Sequence, residues 1–354
     1  MAKTMEETQN FMKKNLLITG GAGFIGSNLA DYFAGKNYQV TVFDNFVRNG
    51  TRDNAQWLRA NHPEIKFIKG DIRKSKDLYR AVKNIEIIFH LAAQVAVTTS
   101  VADPQTDFDI NALGTFNLLE AVRKYGSSPI LIYTSTNKVY GGMDNLTILE
   151  KNNQYVYRDL KDGVDETRNL DFHSPYGCSK GAADQYVRDY KRIYDLPTVV
   201  LRQSCIYGPR QFGIEDQGWV AWFIIALTLG KPITVYGDGK QVRDVLYISD
   251  LVRLFEIVIN KIKTSRGKIY NIGGGVNNTL AVWTQFGPIL EKLFGRKIKV
   301  RFAQWRPGDQ KVFVSDIKLA EKELGWKPNI SVEEGVKKLF TWVQENKRLF
   351  ANFL

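Results

Sequence analysis

The stretch from Leu16 to Asn45, LLITGGAGFIGSNLADYFAGKNYQVTVFDN, constrains the fold of this chain more than any other. Leu16-Leu17-Ile18 is an apolar run of the kind that forms a buried strand. Gly20, Gly23 and Gly26 interrupt it, and from Phe24 to Ala34 apolar residues return at helical spacing. A second apolar strand, Val40 to Phe43, ends at Asp44. Strand, glycine turn, helix, strand and acid in that order predict a βαβ unit that binds a dinucleotide. The glycines let backbone approach a pyrophosphate, and the helix start at Phe24 and Ile25 presents free N–H groups to it. Asp44 at the strand tip, followed by Asn45, accepts hydrogen bonds from an adenosine ribose and repels a 2′-phosphate. That favours NAD over NADP, and Arg48 nearby pulls the other way.

Further strands follow at the spacing of an open, doubly wound parallel sheet. Val47 to His62 is polar and suggests a loop with a short helix. Ile65 to Ile68 predicts a third strand that closes on Gly70-Asp71-Ile72, where Asp71 either faces the adenine amino group or caps the next helix. Ile85 to Leu91 is almost wholly apolar, as a sheet covered on both faces requires. It ends in Leu91-Ala92-Ala93-Gln94, where small side chains let a cofactor lie across the strand's carboxyl end. Asn111 is expected to open the next helix. Pro129 to Tyr133 is a fifth strand, delivering Thr134-Ser135-Thr136-Asn137-Lys138 to the same edge. The polar stretch from Glu150 to Leu170 breaks the alternation and suggests a loop or lid. Beyond it, Tyr176 and Lys180 stand one helical turn apart. An ammonium held there stabilises a phenolate, which makes Tyr176 a candidate general base.

Composition narrows the function classes. The 354 residues suffice for a nucleotide-binding domain plus a second lobe. The net charge of +12 suits anionic ligands such as nucleotides, and no nucleic-acid-binding pattern accompanies it. Two cysteines, Cys178 and Cys205, without a CxxC pair or a histidine cluster, predict neither a disulfide framework nor a metal site. Residues 1–11 form a polar extension without the apolar core of a signal peptide, and Met12 is a plausible alternative start. No apolar segment reaches the length of about 18 residues that a membrane span needs. The expected setting is therefore cytoplasmic, with no membrane partner.

TGGAGFIG, HLAAQ, YTSTNKVYG and PYGCSK, in that order and at those distances, resemble the extended short-chain dehydrogenase/reductases, a superfamily that includes nucleotide-sugar epimerases and dehydratases. The resemblance implies an α/β architecture with a Rossmann lobe and a smaller, discontinuous α+β substrate lobe. The expected division is 12–203 plus 244–275 for the NAD-binding domain, and 204–243 plus 276–354 for the sugar-nucleotide lobe. It implies that Thr136, Tyr176 and Lys180 form the catalytic group and that Asn111 is a structural asparagine behind the lysine. It further implies a homodimer or higher homo-oligomer. Dehydratases of the superfamily carry an acid pair after the catalytic threonine; here those positions are Asn137 and Lys138, so elimination loses its acid and base.

The runs at 135–141, 171–186, 207–223 and 239–247, with QVAVTTS at 94–100, are together similar to CDP-paratose (CDP-tyvelose) 2-epimerases. That match implies a tightly held, recycled NAD and a CDP-linked sugar as small-molecule partner. Arg243 and Arg306 match the superfamily's phosphate-binding arginines, although either alone would suit a surface ion pair. Gln94, Thr136, Asn137, Lys138, Ser204, Gln211 and Gln217 complete the expected substrate set, with His173 as a substrate contact or a structural histidine. Trp219 and Trp222 suit the pocket or the core. Cys205 stands where many relatives place an asparagine against the substrate diphosphate, and it suits a small filler better than a nucleophile. The competing readings are a UDP-sugar 4-epimerase, which uses the same three residues, and a non-catalytic NAD-binding regulator.

Overall fold

The computed structural model describes residues 13–36, 38–125, 128–306 and 308–351, so the expected extension over 1–11 lies outside the described residues. Alternating apolar side chains build its central layer. Strands β1 (Lys14–Thr19), β2 (Tyr38–Asp44), β3 (Lys66–Lys69), β4 (Ile87–His90) and β5 (Ile130–Thr136) join Thr198–Gln203 and Ile269–Ile272 in one seven-stranded sheet. Its order is β3-β2-β1-β4-β5, then Thr198–Gln203, then Ile269–Ile272, and each of the six pairings is parallel. Leu16, Ile18, Ile87 and Phe89 enter the core on one face, and Leu17, Ile88 and Leu131 enter the core on the other. Burial on both faces explains why these strands are continuous apolar runs. Strand order reverses between β1 and β4, which opens a crevice at their carboxyl ends.

Helix α1 (Phe24–Ala34) leaves the glycine turn and packs behind the sheet beside the Ile248–Asn260 helix. The Ser174–Tyr194 helix takes Pro175 in its first turn, where a missing N–H costs nothing, and lies along β5 and Thr198–Gln203. A buried ion pair fixes it there. The Arg202 guanidinium donates from Nε and Nη2 to the two Asp184 oxygens at 2.9 and 3.0 Å. Ser135 Oγ donates to Asp184 at 2.7 Å, and Arg202 Nη1 donates to Tyr140 Oη at 3.0 Å.

The second lobe is discontinuous. Val242–Tyr247 pairs in parallel with Cys205–Tyr207 and Val312–Phe313 and antiparallel with Thr279–Ala281. Ile233–Tyr236 pairs with Val300–Ala303, beside the almost wholly buried Trp219–Thr228 helix. Within the expected 244–275 return, the Val242–Tyr247 strand therefore lies in the small sheet, and the Ile248–Asn260 helix and Ile269–Ile272 strand lie with the large one.

Three local expectations change. Glu150–Leu170 is not all loop: Ile148–Lys151 and Gln154–Tyr157 form a hairpin whose turn residues, Asn152 and Asn153, both adopt positive φ, a conformation asparagine tolerates. The polar Val47–His62 stretch holds an eleven-residue helix, Thr51–Asn61, which buries only a narrow stripe of Thr51, Asn54, Ala55 and Leu58. Asn111 sits inside a π-helical turn, Asp109–Leu113, that runs into the Gly114–Tyr125 helix rather than opening it.

Replacing Asp184 with alanine strands the Arg202 charge in a site where its side chain is 2% exposed. The expected loss is about 3–5 kcal/mol of unfolding free energy, measured by urea denaturation.

Candidate active site

The crevice at the switch point holds a cavity of about 460 Å³ lined by the glycine turn, the ends of β2, β4 and β5, and the Thr51–Asn61 helix. Gly20 has φ +68°, and a Cβ there would stand 2.7 Å from the Ala92 nitrogen. A Cβ at Gly26 would stand 2.3 Å from the Gly20 oxygen, so the helix start and the turn touch only because both residues are glycine. Gly23, Phe24, Ile25, Asn45, Ile72, Leu91, Ala92, Ala93 and Thr134 also line this cavity. Asp44 is buried, and its carboxylate accepts from the Ala22 nitrogen at 3.1 Å and the Phe46 nitrogen at 2.8 Å. Burial pushes its pKa up and those backbone bonds pull it back down. Arg48 donates to Gln217 Oε1 at 2.9 Å, so its guanidinium is already engaged across the lobes. Asp71 caps no helix: Arg73 holds its carboxylate at 2.6 Å and depresses its pKa, while Asp77 Oδ2 takes the Asp71 nitrogen. The glycine cradle, the acidic strand tip and Asn54, a lining residue whose buried Oδ1 has no partner, fit a dinucleotide.

Tyr176 lines both this cavity and a second one of about 370 Å³ beside it, as do Phe24, Ile25, Gln203, Gln211 and Gln217. Thr136 lines the second cavity at the end of β5. The Tyr176 phenol is pushed up to about 12 by burial, with the Thr136 hydroxyl pulling it down. Lys180 is not among the groups that shift it. Lys180 is buried, donates to the Thr134 carbonyl at 2.6 Å and sits 4.3 Å from the Tyr133 ring centre. Burial lowers the Lys180 ammonium to about 7, against the Asp184 and Asp107 carboxylates that raise it. Asn111 reaches Gln94 and Ser179, not Lys180: Oδ1 accepts from the Gln94 nitrogen at 3.0 Å, and Nδ2 donates to the Gln94 carbonyl and Ser179 Oγ.

The second cavity is lined by Asn137, Lys138, Ser204, Cys205, Trp219, Tyr236, Arg243 and Arg306. Lys138 donates to the Gly308 carbonyl at 3.3 Å and Gln310 Oε1 at 3.4 Å; burial and the adjacent Arg243 lower its ammonium to about 8. Arg243 stands 3.8 Å from Asp309. Arg306 lies 3.7 Å over the Tyr236 ring and pairs with Asp216 at 3.0 Å. Ser204 Oγ donates to Asp244 at 2.5 Å. Burial raises the Cys205 thiol, which removes it as a nucleophile. Two expected contacts move. Gln94 lines the dinucleotide cavity alone, its amide bonded to Ala96, and His173 is exposed and lines neither cavity. Trp222 is a buried core residue.

Sequence reasoning missed Gln203, whose buried Nε2 has no partner between the two cavities, and Asn54. Gln203 ends the strand paired with the Thr136 end of β5, and that register was its only sequence signal.

The two lowered lysines set a pH dependence. The unfolded chain keeps both protons up to about pH 10.4, whereas the folded, ligand-free chain gives them up near pH 7 and pH 8. Unfolding therefore takes up protons between those limits, and stability rises as pH is raised from 7 to 9. Urea titrations at several pH values check this, and Lys180→Met should flatten the slope.

The family model described as GDP-mannose 4,6 dehydratase matches residues 17–339. A CDP-paratose 2-epimerase from Salmonella typhi is 46% identical over 334 residues, covering 92% of this chain and 98% of that protein. A putative UDP-glucose 4-epimerase from Methanocaldococcus jannaschii is 34% identical over 94% of this chain and 99% of its own length. Among solved structures, a dTDP-glucose 4,6-dehydratase from Streptomyces venezuelae with NAD and TYD bound superposes with a TM-score of 0.81. It is 29% identical over 94% of this chain and 98% of that one. With the sheet order and the two adjoining cavities, these matches establish that the chain belongs to the GDP-mannose 4,6 dehydratase family of extended short-chain dehydrogenase/reductases.

Proposed function

We propose that this chain is an NAD-dependent epimerase that inverts C2 of a CDP-linked hexose, CDP-paratose/CDP-tyvelose or a related sugar. The observation that carries the reading is Tyr176, a single phenol lining both the dinucleotide cavity and the sugar-sized one, with Thr136 beside it. The position after Thr136 supports epimerisation over elimination: Asn137 and Lys138 offer no carboxyl group there. The 46% identical Salmonella typhi protein supports the cytidine nucleotide and the carbon inverted.

An unactivated carbinol carbon cannot be inverted without breaking its C–H bond. NAD⁺, when bound by Gly20, Gly23, Gly26, Asp44 and Lys180, supplies reversible acceptance of the C2 hydride. Tyr176 takes the C2 hydroxyl proton while that hydride leaves, and it returns the proton after the hydride is delivered to the opposite face of the 2-keto sugar. Thr136 donates to the same oxygen and fixes its position. Free of ligand, the phenol holds its proton, at about 12. Tyr176 would lose that proton more readily with a nicotinamide cation held in the adjoining cavity, because an opposite charge nearby favours the ionised form. The sugar must turn over between the two half-reactions, so binding energy belongs in the nucleotide and diphosphate. Lys138, Arg243 and Arg306 are the cations placed for that anchor.

A homodimer completes the reading. Phe116, Tyr186, Ile193 and Tyr194 are large apolar side chains left exposed on the Gly114–Tyr125 and Ser174–Tyr194 helices, with the Phe116 and Tyr186 rings 5.6 Å apart. A contiguous face of that kind marks an interface. Among the described residues no helix is long and apolar enough to cross a membrane, and a cytoplasmic setting is part of the proposal.

NMR of the purified protein with CDP-tyvelose and no added nicotinamide should show the C2 epimer. Tyr176→Phe should lower turnover by about 10²–10⁴-fold without changing the melting temperature. A C4 epimer would move the protein to the UDP-sugar 4-epimerase reading, and no turnover with any nucleotide sugar, even with NAD⁺ added, would sink both. In light scattering the wild type should be a dimer and Phe116→Asp/Ile193→Asp a monomer; a monomeric wild type defeats the dimer.

A further inference from the structure

Asn54 has no assigned part in the site, yet it is 1% exposed and its Oδ1 lacks any partner. Its amide orientation is set by two acceptors. Nδ2 donates to the Ala22 carbonyl in the glycine turn and to the Arg210 carbonyl, each at 3.2 Å. With the nitrogen occupied twice, the oxygen is left as a buried acceptor without a partner, on a residue that lines the dinucleotide cavity. A buried acceptor without a donor costs enough that a ligand hydroxyl placed there is strongly favoured.

Arg210 belongs to the 209–217 segment, which lines this cavity through Arg210, Gln211, Phe212, Ile214 and Gln217. The Thr51–Asn61 helix grips that segment repeatedly. Arg210 adopts φ +67°, a costly conformation for a side-chain-bearing residue, and its guanidinium lies 4.0 Å from the Trp57 ring centre. The Phe212 ring packs so closely on Gly50 that a Cβ there would stand 2.2 Å from it. At the far end, Gln217 accepts from Arg48.

We infer that Asn54 is a cofactor-binding residue that accepts a hydroxyl of the adenosine ribose and, through Arg210, fastens the 209–217 segment over the dinucleotide as a strap. The inference rests on the NAD-dependent reading above and gives it a structural cause for retention. A hydroxyl on Oδ1 holds the Asn54 amide in the orientation that ties the strap, so binding and closure support each other. It also disfavours NADP: a 2′-phosphate offers no hydrogen to Asn54 and meets the Asp44 carboxylate, while Arg48 is engaged by Gln217.

The test is Asn54→Leu, which keeps the branched four-atom side-chain skeleton and removes both donor and acceptor. Nicotinamide released by acid from purified protein, and NAD⁺ dissociation in a chase with unlabelled NAD⁺, are the readouts. The wild type should carry close to one NAD per subunit; Asn54→Leu should release it at least about ten-fold faster, the scale of one buried hydrogen bond, and regain turnover in millimolar NAD⁺. Phe212→Ala loosens the strap without touching Asn54 and should also speed NAD⁺ release in the same chase. Unchanged release in both variants overturns the inference, as does lost activity in Asn54→Leu that NAD⁺ does not restore while the fold is intact by circular dichroism. If Asn54→Leu does not fold, Phe212→Ala decides alone. A wild type that turns over no nucleotide sugar defeats the proposed function instead, and the release rates still report on the strap.

Discussion

The Asp184–Arg202 pair is the interaction on which the geometry of the site depends. Tyr176 and Lys180 sit on one helix and Thr136 on one strand, and nothing in the sequence between them forces helix and strand to meet at a fixed distance. The bidentate pair does so. It joins the middle of the helix to the strand next to β5, and Ser135, the neighbour of Thr136, adds its hydroxyl to the same carboxylate. Removing two charges from water is expensive, and good geometry plus extra hydrogen bonds are what make it tolerable. Tyr140 and Ser135 supply those bonds. An apolar contact of similar area would have held the helix as well but would not have set its register, and proton transfer needs register within a fraction of an ångström.

Dryness is the second constraint, and it sets the resting state of the chemistry. The same burial that raises the Tyr176 phenol lowers the Lys180 and Lys138 ammonium groups and holds His90 near 3, so it is neutral. Acids and bases are thus pushed in opposite directions by one cause, toward uncharged forms. His90 illustrates the structural end of that effect, its ring spanning the Thr19 and Thr115 hydroxyls. Tyr176 illustrates the other end: its phenol keeps its proton for the same reason, and its proposed role as base would need a bound cation to release it.

What could be read from the sequence was local. The glycine turn, its flanking strands and Asp44 lie within one continuous stretch, and each residue type has a reason tied to its own backbone. The spacing of Tyr176 and Lys180 is likewise a property of one helix. Contacts between distant segments were not legible: Asn54 and Arg210 are 156 positions apart, and Gln203 joins the site only through its pairing with Thr136. Nor was the Tyr176 pKa, since Lys180 is close in helical spacing but points its nitrogen at Thr134. The Asn152-Asn153 turn was legible in principle, because paired asparagines tolerate positive φ, but a stretch without hydrophobic periodicity hid the two short strands beside it.

These constraints bear on how one pocket can present both faces of a sugar to one hydride donor. With Thr136, Tyr176 and Lys180 acting as proposed, the sugar must turn between the two half-reactions, and the intermediate must not escape while it does. The 209–217 segment meets both demands from a single position. It walls the dinucleotide cavity through Arg210, Phe212 and Gln217, and through Glu215, Asp216 and Gln217 it also walls the sugar cavity. Arg306 grips it from the substrate side at Asp216 and the Glu215 carbonyl, and Arg48 grips it from the cofactor side at Gln217. A diphosphate that draws Arg306 away from Asp216 would loosen only the sugar-side hold. Under the proposed function, that asymmetry would let the sugar chamber adjust while the cofactor chamber stays closed, which is what a reaction with no net oxidation requires of its NAD.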